Sequence, residues 1–241
     1  MLKQKTMIIV LVLMILSSTV YMCFANSAEP PSVLVIVPDA PENLEINIDW
    51  GNSSHRLKEI EKTDKIIETY FEIYLGNLKQ DGDYTLNIKN GEENFAVKLN
   101  KPLKGYQNIY TLDLNNKTLI EGKMLSRSVL LVTMRVVLTL AIEAAVFLIF
   151  GFKNKRSWAA FLIINLITQG TLNIWLNGFA PSQSYLILNL IFSEFFVFVF
   201  EIAAFLKFVK EHKKLRIVLY VLIANLLSLI AGGYIITILP I

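Results

Sequence analysis

Two kinds of hydrophobic pattern divide the chain. Leu44, Ile46, Ile48 and Trp50 alternate with Glu45, Asn47 and Asp49, the period of two that gives a strand one buried and one wet face. The same alternation recurs at Ile67, Thr69, Phe71, Ile73 and Leu75, at Tyr84, Leu86 and Ile88, at Phe95, Val97 and Leu99, and at Tyr110, Leu112 and Leu114. Val33 to Val37 reads as the first strand, ended by Pro38, and Asn90-Gly91 falls between two runs as a hairpin signal. Ser54 to Lys65 fits either a charged helix or an edge hairpin. Six or so short strands in about 95 residues predict a β-sandwich of immunoglobulin-like architecture over residues 29–126.

Beyond it the alternation gives way to four long apolar runs, near 129–150, 158–176, 185–206 and 217–239. Each has roughly the twenty residues that a spanning helix needs. The expected fold class is therefore α+β, a small extracellular β-sandwich followed by a four-helix transmembrane bundle over 127–241. At the other end, Lys3 and Lys5 precede the apolar run Met7 to Leu16 and then small residues. Residues 1–28 thus read as a signal peptide, or as an uncleaved N-terminal helix. Val20-Tyr21-Met22 before Cys23 lacks the small residue of a lipoprotein site.

Charge fixes the expected orientation. Residues 29–126 hold 16 acidic and 11 basic side chains, whereas the rest of the chain holds 4 and 12. The loop after the first apolar run carries Lys153, Lys155 and Arg156, and the loop after the third carries Lys207, Lys210, Lys213, Lys214 and Arg216 against Glu211. The stretch from Gly178 to Ser184 is uncharged. By the positive-inside rule the loops 151–157 and 207–216 are cytoplasmic, and residues 29–126 lie outside a cell membrane that the chain crosses several times. The signal-like N-terminus demands the same orientation.

Polar residues inside the apolar runs are the candidate chemistry. Asn165, Gln169 and Asn173 lie four residues apart, continued by Asn177, and so form one slowly drifting stripe on a helix. The first run contains Arg135 and Glu143, the third Glu194 and Glu201, and the fourth Asn225 and Ser228. Groups of this kind are expensive at bilayer depth and face protein or a polar cavity. At about 1.5 Å per residue, Glu143 and Glu201 fall roughly 6–11 Å from the cytoplasmic end and Asn165 and Asn225 about 12–14 Å. Glu194 and Gln169 come out higher, and Arg135 near the outer surface, placed to snorkel outward or to reach towards Glu194. All four helices are expected to feed one polar layer. It serves either as hydrogen-bonding glue between helices, as a titrating or ligand-binding site, or as an interface to a partner membrane protein.

Other chemistries are excluded or not called for. No apolar run contains His, Asp or Cys, so metalloprotease, aspartyl and serine–histidine arrangements lack their parts. There is no phosphate-binding Gly-x-x-x-x-Gly-Lys loop, and no cofactor or metal is implied. With Cys23 the only cysteine, and inside the signal-like segment, no disulfide is expected in the remainder. His55 reads as a surface residue. Asn52-Ser53-Ser54 and Asn116-Lys117-Thr118 match glycosylation sequons, a pattern that often arises by chance. Trp50, Tyr70, Tyr74 and Tyr110 are aromatic candidates for ligand contact, with core packing the default. The acidic balance of the outer half argues against a nucleic-acid partner.

The segments NIYTLDLNNKTLIEGK, RVVLTLAIEAAVFLIFGF, NLITQGTLNIWLN and ANLLSLIAGGY resemble an uncharacterised family of bacterial membrane proteins. The resemblance implies a signal peptide, a small extracellular domain and four membrane helices in a Gram-positive-type cell membrane. It covers Glu143, Asn165, Gln169, Glu201 and Asn225 as motif members and implies no activity. The expectation is a non-enzymatic envelope protein acting in sensing, binding or assembly, in the lipid bilayer and alongside a partner membrane protein or a second copy. The alternative is a small transporter or ion-coupled subunit working through its intramembrane carboxylates.

Overall fold

Eight strands in two sheets precede four long helices in a computed structural model that describes residues 31–50, 59–75, 79–104, 106–181, 185–238 and 240. The signal-like segment 1–28 with Cys23, the sequon at Asn52, and His55 lie outside the described residues, as does the side chain of Trp50. The strands are β1 (Ser32–Pro38), β2 (Leu44–Trp50), β3 (Glu59–Asp64), β4 (Glu68–Tyr74), β5 (Tyr84–Asn90), β6 (Glu93–Lys98), β7 (Gln107–Asp113) and β8 (Thr118–Glu121). One sheet runs β3-β4-β1-β7-β8 and the other β2-β5-β6. The β1–β7 pair is parallel and the others antiparallel. Val33, Val35, Val37, Phe71, Ile73 and Leu112 of the first sheet pack against Ile46, Ile48, Leu86 and Ile88 of the second in one core.

Local sequence accounts for much of this. Asn90 pairs with Glu93, so the hairpin loop is two residues long. Gly91 takes its first position at φ +62, where a side chain would be strained. The ambiguous stretch before Lys65 resolves into an edge strand, β3, over its described part. Two features depart from the alternating pattern. β4 is buried on both faces, with Glu68, Thr69 and Glu72 as inaccessible as Phe71 and Ile73. The polar alternate positions therefore do not face water, and Glu68 is held by an ion pair instead. β8 was not foreseen. It is four residues long, and its Thr118-Leu119-Ile120-Glu121 pattern is too short to register as a strand without β7 beside it.

The helices are α1 (Leu125–Ile149), α2 (Lys155–Leu176), α3 (Leu186–Phe208) and α4 (Lys214–Ile238). Their ends lie up to four residues from those expected, because polar first turns do not contribute to an apolar run. All four are long and apolar enough to cross a membrane. Each packs on its sequence neighbours, and α1 also packs on α4. Asn154 caps α2, its Oδ1 accepting from the Arg156 N–H at 3.1 Å. Beyond α1, Gly151 at φ +77 lets the Phe152 N–H return to the Phe147 carbonyl, a left-handed helix stop. At that end Phe147 stacks on Phe152 at 4.1 Å and meets Trp158, Phe161, Phe205 and Tyr220, tying all four helices together.

Candidate functional site in the helical bundle

The bundle is arranged inside out relative to a protein in water. Phe192, Phe196, Ile174 and Leu226 point outward, while Glu143, Asn165, Gln169, Glu201 and Asn225 are each 0–1% exposed. Exposed apolar surfaces around a polar centre are what a hydrocarbon solvent selects, since an unpartnered polar group there costs several kcal/mol. This is consistent with a multi-pass membrane protein.

The polar centre is a closed ring of contacts. From α2, Thr168 Oγ1 donates to Glu201 Oε1 of α3 at 2.6 Å. Glu201 Oε2 accepts from Asn225 Nδ2 of α4, also at 2.6 Å. One turn along α4, Ser228 Oγ lies 3.0 Å from the Asn225 carbonyl and 3.2 Å from Glu143 Oε1 of α1. The same Oε1 accepts from Gln169 Nε2 at 3.5 Å, which returns the path to α2 one residue from its start. Every helix contributes. Spacing explains part of this: Thr168-Gln169 on α2, and Asn225 with Ser228 on α4, each fall on one face of their helix.

Ser228 has one hydroxyl proton for two acceptors. When that proton goes to the Asn225 carbonyl, the Ser228 oxygen is free to accept from a protonated Glu143. No lysine or arginine forms an ion pair with Glu143, Glu194 or Glu201 among the described residues. Buried carboxylates without a cation are costly, so protons or bound cations must balance them.

The remaining expected residues lie beside the ring. Asn165 is fully buried, with the Tyr220 hydroxyl of α4 beside its amide. Asn173 Nδ2 donates to the Gln169 carbonyl in its own helix. Glu194 and Arg135 sit nearer the β domain and line, with Gln169, Asn173, Ser228 and Gly232, a cavity of about 20 Å³, room for about one water. Arg135 does not snorkel outward and does not bond Glu194. It is 8% exposed, and one guanidinium nitrogen donates to the Pro240 carbonyl at 2.7 Å. The end of the chain brings that carbonyl within reach, a contact 105 residues long in sequence. On the outer surface a groove of about 470 Å³ opens between α2 and α3, with Thr168 among its lining residues.

A second polar cluster, missed from the sequence, joins the β domain to the bundle. Arg127 of α1 grips Glu68 of β4 in a two-pronged ion pair, Nε donating to Oε2 at 2.7 Å. The Tyr70 hydroxyl donates to Glu68 Oε1 at 2.6 Å and accepts from Arg127 at 3.1 Å. Nearby, Lys123 Nζ donates to the carbonyls of Asn177 and Phe179 at the end of α2 (2.8 and 2.6 Å), and Lys65 Nζ donates to that of Thr237 at the end of α4 (2.8 Å). Cations at helix C-termini complement both the unpaired carbonyls and the helix dipole. Burial, and then the Arg127 and Arg135 charges, push the Lys123 ammonium down to about 7, against an opposing pull from Glu68.

Two signals pointed to these residues. Thr168 is three residues from Asn165 and adjacent to Gln169, so it belongs to the stripe. Arg127 is a cation at the end of the span where the positive-inside rule expects none. Of the aromatic candidates, Tyr110 is in the sandwich core and Tyr70 is committed to Glu68. No group of three His, Cys, Asp or Glu suited to a metal ion occurs among the described residues. No protein-family model, curated protein or solved structure matches the chain.

Proposed function

We propose that this chain is a multi-pass cell-membrane protein whose outer β domain senses, binds or assembles envelope components and is mechanically coupled to the bundle beneath it. The observation that carries the reading is the junction. A tethering domain needs one flexible connection, whereas here Arg127–Glu68, Lys123 and Lys65 key the sandwich to α1, α2 and α4. Displacement of β4 by a ligand would be felt at those helix ends. In this reading residues 29–126 are extracellular, with an immunoglobulin-like sandwich as the binding module. Support for the sandwich is its two sheets around one core, and its one parallel pair is a departure from an all-antiparallel scheme. Support for the orientation is the cluster of lysines and arginines at 153–156 and 207–216, at the opposite end of the bundle from Lys65 and Lys123.

Two measurements test it. With Cys23 replaced by Ser, a cysteine placed at Asn116 should react with a membrane-impermeant maleimide in intact cells and one at Lys213 should not; the reverse labelling would overturn the topology. Hydrogen exchange in detergent should rise at residues 65–72 and 122–128 when Glu201→Gln perturbs the ring. Unchanged exchange there would mean that the two sites are not coupled.

A second reading is favoured by the ring itself. Two carboxyls bridged through amides and hydroxyls, without a paired cation, suit an ion-coupled subunit that exchanges charge inside the bundle. It is compatible with the first reading, since the ring is then the element that the outer domain biases.

A further inference from the structure

We infer that the ring takes up one small monovalent cation of the Na⁺ class between Glu143 of α1 and Asn225 of α4, in exchange for a proton. The inference rests on the ion-coupled reading and adds the ion and the stoichiometry.

Three observations carry it. Glu143 Oε2 and Asn225 Oδ1 are buried acceptors with no hydrogen-bond donor, although the other atom of each group is engaged in the ring. Unmet acceptors in a native interior are few, and each costs about 1–3 kcal/mol. Here two occur on two helices around one ring. Acceptors in excess of donors call for a positive guest, and carboxylate, amide and hydroxyl oxygens are the ligands of hard cations. The second observation is the donor inventory. Only neutral groups, Thr168, Gln169, Asn225 and Ser228, hold the two carboxyls. A divalent or transition ion would ask for more charged or nitrogen ligands than the described residues assemble. The third is enclosure: Glu143 and Asn225 are 0% and 1% exposed, so the ion enters largely stripped of water.

Charge balances as follows. Without the ion, Glu143 and Glu201 each hold a proton. When the ion binds, one proton leaves to solvent, the ion offsets one carboxylate, and the other carboxyl keeps its proton. The ring stays neutral in both states.

The test is thermal unfolding of the whole protein in a neutral detergent, in NaCl, LiCl, KCl or choline chloride at equal ionic strength, with a pH-indicator dye in weakly buffered samples. The expected result is a saturable stabilisation by Na⁺ and Li⁺ over choline, weaker with K⁺, and release of about one proton per ion bound. Acid should raise the half-saturating Na⁺ concentration. Ser228→Ala, a mild substitution, and Glu143→Gln should each raise it by about tenfold or more, some 1.4 kcal/mol of binding. Tyr234→Phe, on the outer surface, should leave it unchanged. Equal stability in Na⁺ and choline across pH would overturn the inference. If stability still varied with pH in a Lys123→Met background and Glu143→Gln removed that dependence, the ion-coupled reading would survive with the proton as its ion. If neither dependence appeared, both would fall together.

Discussion

Replacing Glu68 by Gln should unlock the β domain from the bundle. The Glu68 and Arg127 side chains are 2% and 7% exposed, and the pair is two-pronged with the Tyr70 hydroxyl bonded to both partners. Removing one charge of such a pair leaves the other buried against a neutral amide, at a cost of about 3–5 kcal/mol. For a domain of this size that is a fall in unfolding temperature of roughly 6–20 °C. Arg127→Met should fall comparably, because it strands Glu68. The double variant Glu68→Leu/Arg127→Met removes both charges and should recover most of the loss, since paired apolar replacements are tolerated where single deletions are not. The assay is circular dichroism of purified protein in detergent micelles, with protease nicking of the 114–124 segment as a local readout. Single variants within about 2 °C of wild type, or a double variant as unstable as the sum of the singles, would refute a coupled buried pair.

Other consequences are more local. Thr168→Val keeps the shape but leaves Glu201 Oε1 without its donor, and should cost about 1–3 kcal/mol in the same unfolding assay; a neutral effect would detach Thr168 from the ring. Gly151→Ala should destabilise by about 1 kcal/mol or more, since φ is +77 and the new Cβ would come within 3.0 Å of Arg216. Phe147→Ala should cost about 3–5 kcal/mol, because its ring touches partners from α2, α3 and α4. Lys123 predicts a pH dependence. Its ammonium lies at about 7 when folded against 10.5 ordinarily, so between these values the unfolded chain holds a proton that the folded one has lost. Stability should therefore rise with pH across that window, and Lys123→Met should flatten the rise. A wild-type profile flat from pH 7 to 10 would contradict the burial of this lysine.

Periodicity alone was enough to place strands at 44–50, 84–88 and 110–114, within a few residues of their observed bounds, and the four apolar helices, because a period of two or a run of twenty is a local property of the chain. It also brought Glu143, Asn165, Glu201 and Asn225 to a similar layer, with Gln169 somewhat higher, since helical rise converts sequence position into height. What it did not contain is partnership. That Thr168 and Gln169 close a ring through Glu201, Asn225, Ser228 and Glu143 depends on which helices are neighbours and how each is rotated. The polar positions of β4 looked like a wet face. Glu68 is instead buried against Arg127, 59 residues away, and Arg135 turns to Pro240 rather than Glu194. Spacing along one element says which face is polar; only the closing of the chain on itself decides what that face meets.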